Sequence, residues 1–245
     1  MEVLLALIVV VGATAAMLYL GRVAEKSPFA LSELHYINWQ LKYQVSLLGV
    51  AASVLAAAYL LNSANFAAFV ALGRFAAPVE SVSWLPIPTG ASWLVLGAGL
   101  SFFITVGTST FVYLQFRKTV GGFGALLRFM PWVLLLSATN AFSEEVIYRL
   151  GIVVPLFGTI QTAYILLVSA IAFGAPHLRG MPNGIIGALM AGFLGWFLAK
   201  SVVDTHGMFW AWFIHFLQDV VIFSAFVMAA VKRRFNPALG EVPGR

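Results

Sequence analysis

Residues 131–157 read PWVLLLSATNAFSEEVIYRLGIVVPLF, an apolar run in which Glu144, Glu145 and Arg149 are embedded. A bilayer-crossing helix needs about 20 mostly apolar residues, and this run supplies them. Placing an ionisable side chain in hydrocarbon costs roughly 2.5–3.5 kcal/mol even on the cheapest insertion scales. Two adjacent carboxylates and a guanidinium within one such segment therefore mark it as a working helix.

The rest of the chain fits that setting. Of its 245 residues 61% are apolar and only 9% charged, and the mean hydropathy is +0.95, which excludes a water-soluble exterior for most of the chain. Further spans are predicted over residues 2–20, 45–62 (with an extension to 72), 91–115, 159–177, 183–200 and 208–231. The fold class is all-α, a multi-spanning helical membrane protein of about seven to eight transmembrane helices. Seven is the favoured count, because an eighth span would break the charge pattern. Arg22, Lys26 and Lys42 lie between the first two spans, Arg117 and Lys118 follow the third, and Lys232, Arg233 and Arg234 follow the last. The positive-inside bias puts those segments in the cytoplasm, with the amino terminus outside and the carboxyl terminus cytoplasmic.

Residues 62–90 carry Arg74, Pro78, Pro86 and Pro88, and are expected to face outward with Trp84 and Trp93 as interfacial anchors. Residues 120–130 are expected to form an interfacial lead-in ending at Pro131, where the missing amide favours a helix start or kink. No basic n-region precedes the first apolar run, so the first helix is expected to be retained. The chain is expected to divide into N-terminal helices and loops without a motif (1–123), a motif-bearing membrane core (124–235) and a short cytoplasmic tail (236–245). The net charge of +5 is read as topology, so no nucleic-acid partner is expected. The absence of cysteine excludes disulfides, thiolate metal sites and a cysteine nucleophile.

Three polar patterns carry chemistry. In Asn140-Ala-Phe-Ser-Glu-Glu-Val-Ile-Tyr-Arg149, helical spacing lets Glu145 and Arg149 pair on one face, while Glu144 is turned about 100° away, toward Asn140 and Tyr148. One carboxylate is neutralised and the other is left for work. In Phe173-Gly-Ala-Pro-His177 the ring and the imidazole share a face. In His215-Phe-Leu-Gln-Asp219 an acid four residues from a histidine is expected to fix its tautomer. At about 1.5 Å of rise per residue, Glu144 lies roughly 20 Å from the Pro131 end and His215 roughly 10 Å from the opposite face of an approximately 30 Å core. The two fall at one level, whereas His177 comes out nearer the cytoplasmic face.

Peptide hydrolysis needs a base to activate water and a donor to hold the oxyanion. Glu144 with His177 is read as the first, and His215 with Asp219 as the second. His206 and Asp204 are expected to be solvated in a short outer loop, His35 to lie in the first cytoplasmic loop, and Arg179 to act as an inside anchor. The glycines Gly187, Gly192 and Gly195 are read as close helix packing.

The ordered set Glu-Glu-x-x-x-Arg, Phe-x-x-x-His and His-x-x-x-Asp resembles the signature of the CPBP family of intramembrane proteases. That family includes the type II CAAX prenyl endopeptidases and many bacterial Abi proteins. The resemblance covers roughly residues 140–220. It implies a membrane-embedded endopeptidase acting on a lipidated or membrane-anchored protein or peptide, with membrane lipids as its other partners, in a bacterial or archaeal cytoplasmic membrane. It implies catalytic roles for Glu144, Glu145, Arg149, His177, His215 and Asp219. Leu150 stands where the family often has glycine, with Gly151 one place later, and Asp219 stands where the prenyl proteases have asparagine.

No cofactor is expected to be required. Zinc is the alternative, held by Glu144, His177 and His215 as two imidazoles and a carboxylate, although the helical zinc signature His-Glu-x-x-His is absent. The competing functions are a non-catalytic adaptor or bacteriocin-immunity protein of the same family, and a proton-coupled transporter. Against the latter stands the lack of paired repeats.

Overall fold

The computed structural model of the chain describes residues 2–26, 30–88, 90–117, 123–179 and 184–235. The expected tail 236–245 and the first residues of the lead-in, 120–122, lie outside the described residues. Among those described the chain is helical, with isolated bridges as its only extended pairing. The helices are α1 (Glu2–Lys26), α2 (His35–Leu61), the short α3 (Ser63–Phe69), α4 (Trp93–Phe116), α5 (Phe123–Glu145), α6 (Gly151–Leu156), α7 (Thr162–Gly174), α8 (Gly184–Thr205) and α9 (Phe209–Phe235).

Five of these, α1, α2, α4, α8 and α9, are long and apolar enough to cross a bilayer. The other two expected spans fall on α5–α6, joined through a π turn at Val146–Leu150, and on the shorter apolar helix Thr162–Leu178, where α7 ends in a 3-10 turn. The molecule is a multi-spanning helical membrane protein. Its outward faces are apolar, as lipid requires: Leu4, Phe103 and Ile186 are 63%, 72% and 74% exposed.

The core forms around the π turn. Residues 146–156 are buried on every side, packed by α1 and α2 through Ala6, Val10, Ala51 and Val54 and by α7 and α8 through Ile165, Leu198 and Val202. Small residues set the closeness of these crossings. A Cβ at Gly151 would stand 2.7 Å from Val54 Cγ1, and one at Gly174 would stand 2.6 Å from the Ala188 carbonyl. Gly192 and Gly195 meet α7 at Ala170 and Phe173, in keeping with the packing role read from the sequence.

Several boundaries differ from expectation. α2 begins at His35, not near residue 45. Its first turns are polar because they face a cavity and neighbouring helices, with Asn38, Gln40 and Gln44 all buried. α5 runs unbroken through Pro131, so no lead-in ends there. One lost backbone hydrogen bond is absorbed where Leu127, the residue one turn back, is exposed.

At the other end of the bundle, α8 continues to Thr205, because Lys200 and Asp204 pair within it at 2.9 Å with side chains 4% and 1% exposed. Asp204 is therefore buried and not solvated, while His206 is exposed and stacked on Phe69. Trp93 is no interfacial anchor. It is fully buried and donates its indole N–H to Asp204 Oδ2 at 2.8 Å. Trp84 is exposed and packs on Trp196.

Candidate active site

The charged motif of α5 ends where the helix widens into the π turn. Such turns recur at functional sites because they rotate the side chains that follow. Here it carries Tyr148, Arg149 and Leu150 and delivers Gly151 to the α1–α2 interface.

Glu145 and Arg149 lie together with no solvent exposure, Oε2 to Nε at 2.9 Å. The contact is an ion pair by distance without aligned hydrogen-bond geometry, and the guanidinium nitrogens find no hydrogen-bond acceptor among the described residues. What covers the cation is the ring of Phe173, 4.2 Å away. An aromatic face is a fitting partner for a buried guanidinium. Phe173 also packs edge-on to Tyr148 and His215, both at 5.5 Å, and against His177 at 5.2 Å. One ring thus spaces the arginine and both histidines.

His215, on α9, places Nδ1 2.8 Å from Glu145 Oε1. A carboxylate oxygen accepts, so Nδ1 carries the proton and Nε2 is presented to the cavity. Nε2 lies 3.8 Å from Glu144 Oε2 and 3.7 Å from Asp219 Oδ2, outside direct hydrogen-bond reach of both. The expectation that Asp219 orients His215 is corrected by this geometry: Glu145 does so, while Asp219 accepts from Asn140 Nδ2 at 3.0 Å.

His177 sits in the 3-10 turn after α7. Its Nδ1 is 2.9 Å from the Phe173 carbonyl, another obligate acceptor, so its Nε2 too is left free of the proton in the neutral ring. Phe173 lies between the two imidazoles, its ring 5.2 Å from His177 and 5.5 Å from His215.

Glu144, His177, His215 and Asp219 line one cavity of about 580 Å³, together with Asn140, Tyr148 and Phe173. Glu144 is the more accessible of the two glutamates, 17% exposed against 0% for Glu145. Glu145 and Arg149 lie behind the cavity wall and hold it. Arg179, exposed, lies at the rim. The wall away from the carboxylates is apolar, built from Leu100 and Ile104 of α4 and Phe193, Leu194 and Phe197 of α8.

Residues outside the three motifs also enter the site. Tyr36, Gln40 and Tyr43 of α2 line the cavity, as does Thr14 of α1, whose hydroxyl is 3.1 Å from Tyr148 Oη. Gln44 Nε2 donates to Asn140 Oδ1 at 3.0 Å. The signal that finds them is the four-residue spacing of Tyr36, Gln40 and Gln44, a polar stripe along one face of a helix otherwise fit for lipid.

Among the described residues no group of three His, Cys, Asp or Glu side chains is disposed to hold a metal ion. The imidazoles do have the form of ligands, each with Nδ1 committed and Nε2 free.

The structure is a helical membrane domain with carboxylates and imidazoles turned into one cavity. Residues 126–221 match the family model described as type II CAAX prenyl endopeptidase Rce1-like. No curated protein and no solved structure matches the chain significantly. CAAX-type intramembrane proteolysis is the activity of the family.

Proposed function

We propose that this chain is a glutamate-dependent intramembrane endopeptidase that hydrolyses a peptide bond in a membrane-anchored or lipidated protein or peptide. The observation that carries the reading is that Glu144, His177 and His215, drawn from three separate elements, line one cavity with the Nδ1 of each imidazole held by an acceptor.

In this reading water binds between Glu144 and His177. Glu144 takes a proton as the oxygen attacks the scissile carbonyl, with His177 Nε2 orienting the water. The charge that develops on the carbonyl oxygen is met by His215 in its doubly protonated form, whose Nε2–H donates to it while Nδ1–H stays on Glu145. The proton held by Glu144 then passes to the departing amine, and the peptide bond breaks. Asp219 and Asn140 shape the polar end of the cavity, and the apolar wall between α4 and α8 suits a lipid chain or an apolar substrate segment. The amino terminus lies outside and the carboxyl terminus in the cytoplasm.

The test is comparative proteomics of membranes from cells carrying the native protein or the Glu144→Gln form. Membrane proteins that lose a terminal segment only with the native form are expected. Identical termini in both, with both forms equally abundant, would favour a non-catalytic adaptor and overturn the reading.

A further inference from the structure

The carboxylates of Glu144 and Asp219 share one donor. Asn140 Nδ2 lies 3.3 Å from Glu144 Oε1 and 3.0 Å from Asp219 Oδ2, so both amide hydrogens are committed, one to each acid. Carboxylate oxygens accept and do not donate, which fixes the direction of the whole chain. Asn140 must turn its NH2 toward the acids, its carbonyl must face the other way, and whatever meets that carbonyl must be a donor. Gln44 Nε2 meets it at 3.0 Å. Gln44 is buried, 3% exposed, and its own carbonyl oxygen has no partner among the described residues. Its one side-chain hydrogen bond among the described residues is therefore spent on Asn140.

We propose that Gln44 is a positioning residue of the catalytic centre, acting through Asn140 to hold the Glu144 and Asp219 carboxylates in place. It lies on α2, outside the segment 126–221 that matches the family model. The consequence for chemistry runs through Glu144. With Oε1 tied to Asn140, the oxygen left to work is Oε2, the one turned toward His215 Nε2. If Asn140 flips, its carbonyl faces two carboxylates and that selection is lost. The catalytic consequence rests on the reading of Glu144 as the base, whereas the positioning itself does not.

The experiment therefore has a readout independent of proteolysis. Protein reconstituted in liposomes is treated with dicyclohexylcarbodiimide, a lipid-soluble carboxyl reagent, and labelling at Glu144 and Asp219 is followed by mass spectrometry. Freed from Asn140, Glu144 is expected to label about threefold faster or more in Gln44→Leu and in Asn140→Leu, with no further gain in the double variant, since two residues acting through one contact do not add. Gln44→Met keeps nearly the size and loses the donor, and is expected to match Gln44→Leu. Ser46→Ala, on the same helix and bonded only to its own backbone at Lys42, is expected to label like the native protein.

Native-like labelling of Gln44→Leu or Gln44→Met, or additive effects in the double variant, would overturn the proposal. In turnover, Gln44→Leu is expected to lower kcat with KM unchanged, and a raised KM at unchanged kcat would count against it. If the native protein proteolyses nothing while the labelling pattern holds, the protease reading falls and the positioning role stands.

Discussion

Glu145 Oε1 and His215 Nδ1 lie 2.8 Å apart across two helices, and this contact, not the four-residue spacing from His215 to Asp219, fixes the imidazole. The two acids should then differ in weight. Asp219→Asn keeps an acceptor for Asn140 and removes no hydrogen bond to His215, so kcat is expected to stay within about tenfold of native. Glu145→Gln weakens the partner that holds the ring and its tautomer, and kcat is expected to fall by about 100-fold or more, by analogy with losing the orienting acid of a histidine base. Steady-state kinetics on a substrate identified by membrane proteomics decides it. The reverse order would return the orienting role to Asp219.

Arg149 tests the fold beneath the site. Among the described residues its guanidinium has one ionic partner, Glu145, and one aromatic cover, Phe173, with no solvent exposure. Arg149→Met leaves a buried glutamate with less compensation, a loss of the kind that costs roughly 3–5 kcal/mol. The double variant Arg149→Met with Glu145→Gln removes both charges and is expected to recover part of that loss. Unfolding in detergent micelles measures both, and a single variant as stable as native would show that the pair holds nothing.

The parts of this arrangement that are local in sequence were legible there. Glu145 with Arg149, and Phe173 with His177, are each four residues apart on one helix, and helical geometry alone brings them together. Contacts between Glu145 and His215 or between Gln44 and Asn140 depend on how helices cross, which no periodicity encodes. The start of α2 was misplaced for a related reason. Hydropathy reads Tyr36, Asn38, Gln40 and Gln44 as loop-like, although Tyr36 and Gln40 face a cavity that only the packed bundle creates. The same blindness put Asp204 in solvent, because its partners Trp93 and Glu80 lie over a hundred residues upstream.

Metal dependence has a direct measurement. Glu144, His177 and His215 are the side chains that would carry a zinc ion if one were used, yet the described residues hold no three-ligand group. In the proposed reading side-chain chemistry alone sustains turnover. Dialysis of the purified protein against a strong zinc chelator should leave kcat unchanged and elemental analysis should find no stoichiometric zinc. Loss of activity restored by added zinc would replace the glutamate mechanism with a metal-bound water.

The cluster at the far end of α8 should matter for stability and not for chemistry. Asp204 receives Lys200 Nζ at 2.9 Å, the Trp93 indole at 2.8 Å and the Glu80 backbone amide at 3.2 Å, so it ties α8 to the start of α4 and to the preceding loop. None of these residues lines the cavity. Lys200→Met strands a buried carboxylate and is expected to cost roughly 3–5 kcal/mol, whereas Trp93→Phe leaves Asp204 its cation and is expected to cost about 1–3 kcal/mol for the lost hydrogen bond. Because neither Lys200 nor Trp93 borders the cavity, the folded fraction of either variant should turn over at the native rate. A fall in kcat per folded molecule would mean that the clamp also sets the spacing of α4 and α8 across the cavity.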